Sequence, residues 1–220
     1  MKKYCMLIFG CGNKDGAEIN EAVFCLLALS QQGIEVDMFA PDREQYDTIN
    51  YLTGETEKHK LNILQESARI ARGEIQPLSK LNPDNYAALI LPGGYGALKN
   101  STNFGVENHK LQLLDDVSRV IKAFHKAKKP LGAVCIYPSV LAILFKETRI
   151  KITTGLNPES KKLIDFTKAE VILADSDEIV VDETHRIVST AAFMNDASLA
   201  KVYTGIFKMV EKMEGLEERI

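Results

Sequence analysis

Cys135 stands where the apolar run Leu131-Gly132-Ala133-Val134 ends and Ile136-Tyr137-Pro138 begins. The run reads as a short buried strand that turns at once into a helix. Pro138 falls in the first helical turn, where its missing N–H costs nothing. A thiol at that junction lies at the positive end of a helix, which favours thiolate and nucleophilic or redox chemistry. It also lies at the carboxyl edge of a parallel sheet, where open α/β folds bind ligands. A buried packing cysteine fits the same placement, so the run alone does not separate the two.

Two further strand ends carry unusual residues. One is Gly10-Cys11-Gly12-Asn13-Lys14-Asp15-Gly16-Ala17-Glu18, and the other is Pro92-Gly93-Gly94-Tyr95-Gly96. Parallel strands end on the same side, so both loops should meet Cys135 at one sheet edge. The 93–96 loop lacks the Gly-Lys-Ser/Thr of a phosphate-binding loop. Its glycines could instead point backbone N–H groups at a single oxygen. Glu18 opens the first helix and could hand protons to or from the thiol. Asp15-x-x-Glu18 also has the form of a helix cap, and spacing does not choose between these roles. Cys11 is a possible second thiol near Cys135, able to form a redox pair, or an ordinary loop residue. His185, in the polar turn Asp182–Arg186, reads as exposed.

The elements that must position these residues alternate. Strands are expected at 5–9, 35–39, 87–91 and 131–134, with a hairpin from 179–181 and 186–189. Helices are expected at 18–32, 61–71, 109–126, 137–145 and 197–214. Ile19, Ala22, Val23, Leu26 and Leu27 read as the inner face of the first helix. Leu111, Leu114, Val117, Ile121 and Phe124 read as that of the helix at 109–126. Leu199, Val202, Ile206, Val210 and Met213 read as that of the last. Residues 41–60 are polar and turn-rich, with little core of their own. Continuous apolar strands alternating with helices imply a mostly parallel sheet covered on both faces, in one α/β domain spanning 1–220.

Composition narrows the function. The chain has 220 residues, 45% apolar and 26% charged, with a formal net charge of −3. These values give no reason to expect nucleic acid or a membrane surface as partner. Lys126 to Lys129 reads as a cationic helix end rather than a phosphate patch. No run of about 20 apolar residues suggests a membrane span. The four cysteines and four histidines lack metal-ligand spacing, so no metal is expected, and Cys5 and Cys25 read as packing residues. The pattern suits a reducing, cytoplasmic compartment.

The strand-to-cysteine turn, the Ile90-Leu91-Pro92-Gly93-Gly94 loop and the early Glu18 resemble the PfpI-type, class I glutamine amidotransferase-like superfamily. A narrower resemblance is to its branch called enhancing lycopene biosynthesis protein, or isoprenoid biosynthesis glyoxalase. It is carried by Gly10-Cys11-Gly12, Phe39-Ala40-Pro41-Asp42, Leu52-Thr53-Gly54-Glu55, Arg72-Gly73-Glu74-Ile75, Pro92-Gly93-Gly94-Tyr95-Gly96-Ala97 and Ile179-Val180-Val181-Asp182-Glu183. Segment 41–75 then becomes a branch signature. The resemblance implies a flavodoxin-like three-layer sandwich with a nucleophile-elbow cysteine, working as a homodimer without a cofactor. It implies Cys135 as nucleophile, Glu18 as its carboxyl partner, and the backbone amides of Gly94 and Ile136 as an oxyanion hole. The implied activity is a glutathione-independent glyoxalase acting on small reactive carbonyls, the 2-oxoaldehydes. A thiol redox or stress sensor, or an isoprenoid-pathway accessory protein without robust catalysis, is the alternative. Ile136 replaces the histidine that often follows the cysteine, and no late His-x-Glu pair exists, which disfavours a glutaminase.

Overall fold

The computed structural model describes residues 2–107 and 110–217. The strands are β1 (Lys3–Leu7), β2 (Glu35–Ala40), β3 (Ile75–Pro77), β4 (Ala88–Leu91), β5 (Leu131–Val134), β6 (Lys151–Ile152), β7 (Glu170–Val171), β8 (Val180–Asp182) and β9 (Ile187–Thr190). The α-helices are α1 (Ile19–Gln31), α2 (Ile63–Ile70), α3 (Tyr95–Ser101), α4 (Asp115–Lys126), α5 (Tyr137–Leu144) and α6 (Leu199–Glu217).

Seven strands form one sheet in the order β3-β2-β1-β4-β5-β9-β8, and β6 pairs with β7 separately. Every pair in the large sheet is parallel except the β8–β9 hairpin. The sheet is buried on both sides, and residues of β1 alternate between two cores. Cys5 and Leu7 pack with Val117, Ile121 and Phe124 of α4 and Val140 and Leu141 of α5. Tyr4 and Met6 pack with Cys25, Ala28 and Leu29 of α1 and Val202, Ile206 and Val210 of α6. Two-sided burial explains why the strands are continuously apolar rather than alternating. The architecture is the flavodoxin-like three-layer sandwich.

Three helix faces differ from expectation. On α1 the buried residues are Glu21, Ala22, Cys25, Ala28 and Leu29, whereas Ile19, Val23 and Leu27 are exposed. On α6 Leu199 is exposed, while Val202, Ile206, Val210 and Met213 are buried. The helix expected from residue 109 begins at Asp115, and His109 lies outside the described residues. The chain before it is extended: Thr102 bridges Leu113, and Leu114 N–H donates to Ser101 O. Leu113 rather than Leu114 is therefore buried.

Strand order reverses between β1 and β4, which opens the crevice where such sheets bind ligands. Segment 41–62 lies against that edge. Asp15 accepts from Ile49 N–H and Tyr51 O–H, Asn100 Oδ1 accepts from Tyr46 N–H, and buried Lys99 pairs with Asp47 at 2.7 Å. These polar ties replace the core the segment lacks.

Candidate functional site

β5 delivers Cys135 into a left-handed conformation, φ 61°, immediately before α5. Few side chains tolerate that region, and such outliers gather at functional sites. Cys135 N–H donates to Thr190 O at the end of β9, which fixes the turn to the sheet. The thiol is almost wholly buried, at 7% exposure.

Glu18 does not meet the thiol. It is the N-cap of α1: its carboxylate accepts from Glu21 N–H at 2.7 Å and from Asn20 Nδ2 at 3.1 Å. The helix begins three residues later than an Asp15 cap would allow, so Glu18 takes the capping role. The carboxyl brought to Cys135 belongs to Glu21, one turn further on. Glu21 is fully buried and its side chain hydrogen-bonds Cys135. One of its oxygens accepts from Gly93 N–H at 3.0 Å, the other from Phe193 N–H at 3.4 Å.

Each neighbour of Glu21 has a backbone reason to be there. Gly93 must be glycine because a Cβ would lie 2.5 Å from the Cys135 Cβ and 2.6 Å from a Glu21 oxygen. Gly94, the N-cap of α3, holds φ 108°. Ala192, at φ 45°, turns the chain so that Phe193 N–H reaches the carboxyl. The expected oxyanion donors, Gly94 and Ile136, aim their backbone N–H groups at the Cys135 sulfur.

The electrostatics follow from burial. Desolvation, reinforced by the charge of Glu18, pushes the Glu21 carboxyl up to about 8. Burial first and the Glu21 carboxyl second push the Cys135 thiol well above its ordinary value, and the amides of Gly94 and Ile136 oppose this. The helix-end argument for a ready thiolate is therefore outweighed by desolvation. The hydrogen bond from the Cys135 thiol to the Glu21 carboxylate acts against that burial on Glu21 and adds to it on Cys135. Burial also raises the half-buried Glu18 carboxyl, against the hydrogen bonds it accepts.

The remaining candidates are not among the hydrogen-bond partners of this pair. Cys11 is free and half-buried, and its charged neighbours are Glu66, Arg69 and Asp15. Burial raises its thiol as well. Cys5 and Cys25 are packed in the two cores. His185 is half-buried rather than exposed and pairs with Asp182 at 2.8 Å. Glu21 carried one overlooked signal: it is the sole charged residue within α1 and shares a helix face with Cys25 and Ala28.

The fold and this edge define a flavodoxin-like sandwich with a cysteine at a strand-to-helix elbow and a buried carboxyl against it. Residues 8–202 match the DJ-1/PfpI family, and the chain belongs to that family. It is 38% identical to the ES1 protein homolog, mitochondrial, of Rattus norvegicus, over 96% of this chain and 82% of the relative. It is 37% identical to the glutamine amidotransferase-like class 1 domain-containing protein 3, mitochondrial, of Homo sapiens, with the same shares covered. The crystal structure of an isoprenoid biosynthesis protein with amidotransferase-like domain from Ehrlichia chaffeensis superposes with a TM-score of 0.89 at 34% identity. That match covers 97% of this chain and 99% of the other. Drosophila melanogaster DJ-1beta shares the fold, with a TM-score of 0.59 at 17% identity over 99% of this chain and 95% of the other. Among the described residues, no helix is long and apolar enough to cross a membrane.

Proposed function

We propose that the protein is a cofactor-independent glyoxalase that converts small 2-oxoaldehydes to 2-hydroxy acids, with Cys135 as nucleophile and Glu21 as the proton carrier. The observation that carries this reading is the buried Glu21 carboxyl on the Cys135 sulfur, titrating near neutral pH. A general acid–base group works best with a pKa near the working pH.

In this mechanism ionised Glu21 takes the thiol proton as sulfur attacks the aldehyde carbon. The S–C bond forms and the carbonyl π pair moves to oxygen. The Gly94 and Ile136 amides transfer from sulfur to that oxygen, two bonds away. Glu21 protonates the oxygen, then removes the C–H proton of the same carbon to give an enediolate whose negative charge lies on the neighbouring oxygen. It returns that proton to the neighbouring carbon while the hydroxyl proton of the first carbon passes to the neighbouring oxygen, which leaves the thioester of the 2-hydroxy acid on Cys135. Water cleaves the thioester, releasing the 2-hydroxy acid and the thiol. The redox change is internal to the substrate, so no external oxidant or reductant enters. The sensor reading draws less support, because oxidation needs a standing thiolate and the Cys135 thiol is raised, whereas attack on an aldehyde can use the Glu21 carboxylate as base in the same step.

The test is incubation of wild type and Cys135→Ala with methylglyoxal, without glutathione, followed by proton NMR. Lactate from wild type only is expected. Folded, reduced wild type that makes no lactate would sink the reading.

A second copy of the chain is proposed to cover α1 and α6. The exposed face of α1 carries Ile19, Asn20, Val23, Leu27, Ser30 and Gln31, with no charged side chain. Beside it lie Leu199, Tyr203 and Phe207 of α6. Charge depletion marks the core of an interface, and the uncharged α1 stripe, bordered by Lys208 and Glu211 of α6, suits its own copy across a two-fold axis. Two neighbouring helices of this length present a face of roughly 400 Å² in projection. Side-chain corrugation adds to that figure, bringing it toward the ~800 Å² per partner of a stable dimer. Light scattering should give a dimer for wild type and a monomer for Val23→Lys. A monomeric wild type would refute the interface.

A further inference from the structure

A second cluster lies at the opposite edge of the sheet from Cys135, where β5 and β9 begin. A cavity of about 270 Å³ is lined by His125, Lys126, Lys128, Thr184, His185 and Arg186. Five of these six side chains are basic. They come from two turns far apart in sequence, the end of α4 and the β8–β9 hairpin. Leu131 N–H donates to Arg186 O and locks the two turns together.

The backbone at both turns is set against its own preference. Lys128 and Arg186 each hold φ 55°. Glycine or asparagine adopts that conformation at far lower cost, and glycine is the usual residue after a helix. The other described non-glycine residues with positive φ are Arg72, Cys135 and Ala192, and the last two belong to the Cys135 site. Here the strained positions bring a lysine and an arginine to one cavity. Arg186 Nη1 donates to Leu216 O, which fixes the guanidinium.

The histidines complete the cluster. His125 and His185 stack with ring centroids 5.9 Å apart, and His125 packs on Phe145 at 4.4 Å. His185 Nδ1 faces Asp182, whose carboxylate also accepts from Lys151 N–H and His185 N–H. The charged groups around the imidazoles are Asp182 and Arg186 from the hairpin and Lys126 and Lys128 from the end of α4. α5 and its C-cap contribute the uncharged Phe145. The neighbouring Glu183 pairs with Lys212 of α6. Asp182 is buried and its carboxylate is engaged by Lys151 N–H, His185 N–H and the His185 ring.

We propose that this cavity binds a tetrahedral dianion of the phosphate class, as a free ion or as the phosphate of a small monoester. A metal cation is disfavoured by the two lysines and the arginine. The volume is below that of sites for larger ligands and suits a small anion. Lys126 and Lys128 therefore do more than close α4, because the hairpin adds a second set of cations that sequence separation concealed.

Sulfate keeps its charge between pH 6 and 8, so titration calorimetry with sulfate reports on the protein alone. Wild type is expected to bind sulfate at pH 7. Lys128→Gly removes a cation and relieves the backbone, so it should weaken sulfate at least fivefold while its melting temperature holds or rises. A second series uses inorganic phosphate and glycerol 3-phosphate at pH 7. Tighter binding of the ester assigns a monoester ligand, and equal binding assigns the free ion. No sulfate binding at pH 7, or unchanged affinity in Lys128→Gly, would overturn the proposal.

Discussion

Glu21→Gln is expected to slow lactate formation from methylglyoxal by roughly 10²- to 10⁴-fold, the usual worth of a positioned acid–base group. Glu18→Gln is expected to stay within about threefold of wild type, because it loses a cap worth ~1 kcal/mol of stability and no contact with sulfur. The contrast follows from one helical turn. Glu18 spends its oxygens on Glu21 N–H and Asn20 Nδ2, whereas Glu21 presents its carboxyl to Cys135. Glutamine at 21 keeps the shape and one backbone hydrogen bond but neither accepts nor releases a proton. The loss should therefore appear in kcat, with KM little changed, since the carboxyl acts on the reacting atoms rather than holding substrate. Equal loss in both variants would mean that Glu18 reaches the substrate through a rearrangement of the α1 terminus. Full activity in Glu21→Gln would remove the buried carboxyl from the mechanism.

The sheet was legible in the sequence because its central strands are buried on both sides and therefore read as unbroken apolar runs. Ala88–Leu91 and Leu131–Val134 are such runs, and each leads into a residue of the site, Gly93 and Cys135. The convergence of three strand ends followed from parallel pairing alone. The phase of α1 was not legible, and with it the identity of the carboxyl partner. Residues 22–29 of that helix are all apolar, so periodicity cannot choose an inner face. Polar residues usually mark the outer face, yet here the sole charge points inward. The outward Ile19, Val23 and Leu27 stripe reads as core for the same reason. Short elements escaped as well. β3 has three residues, β6 and β7 have two each, and α3 starts in a glycine-rich loop that reads as a turn. The Phe193 N–H contact depends on the left-handed Ala192, for which no residue type gives a signal.

The buried carboxyl should also be a stability cost that glutamine removes. A glutamate ordinarily titrates near 4.5, and Glu21 in the fold is pushed up to about 8. Between those values the folded protein keeps a proton that the unfolded chain has released. Stability contributed by this group is therefore intact below about pH 4.5 and falls as pH rises toward 8. At pH 7 the cost is on the order of 3 kcal/mol. Glu21→Gln abolishes that cost and gives up an acceptor for one of the two backbone N–H groups, worth about 1 kcal/mol. The variant should be more stable than wild type by ~2 kcal/mol at pH 7, or about 4 to 8 °C in Tm for a chain of this size. Near pH 4.5 the advantage should vanish or reverse. Denaturant unfolding of both proteins across pH 4.5 to 8 reads the difference directly. Parallel curves would mean that the carboxyl ionises at its ordinary value, and the acid–base role of Glu21 near neutral pH would lose its physical basis. A widening gap joined to the loss of turnover would mark Glu21 as a group kept against stability because the chemistry needs a proton held at that place.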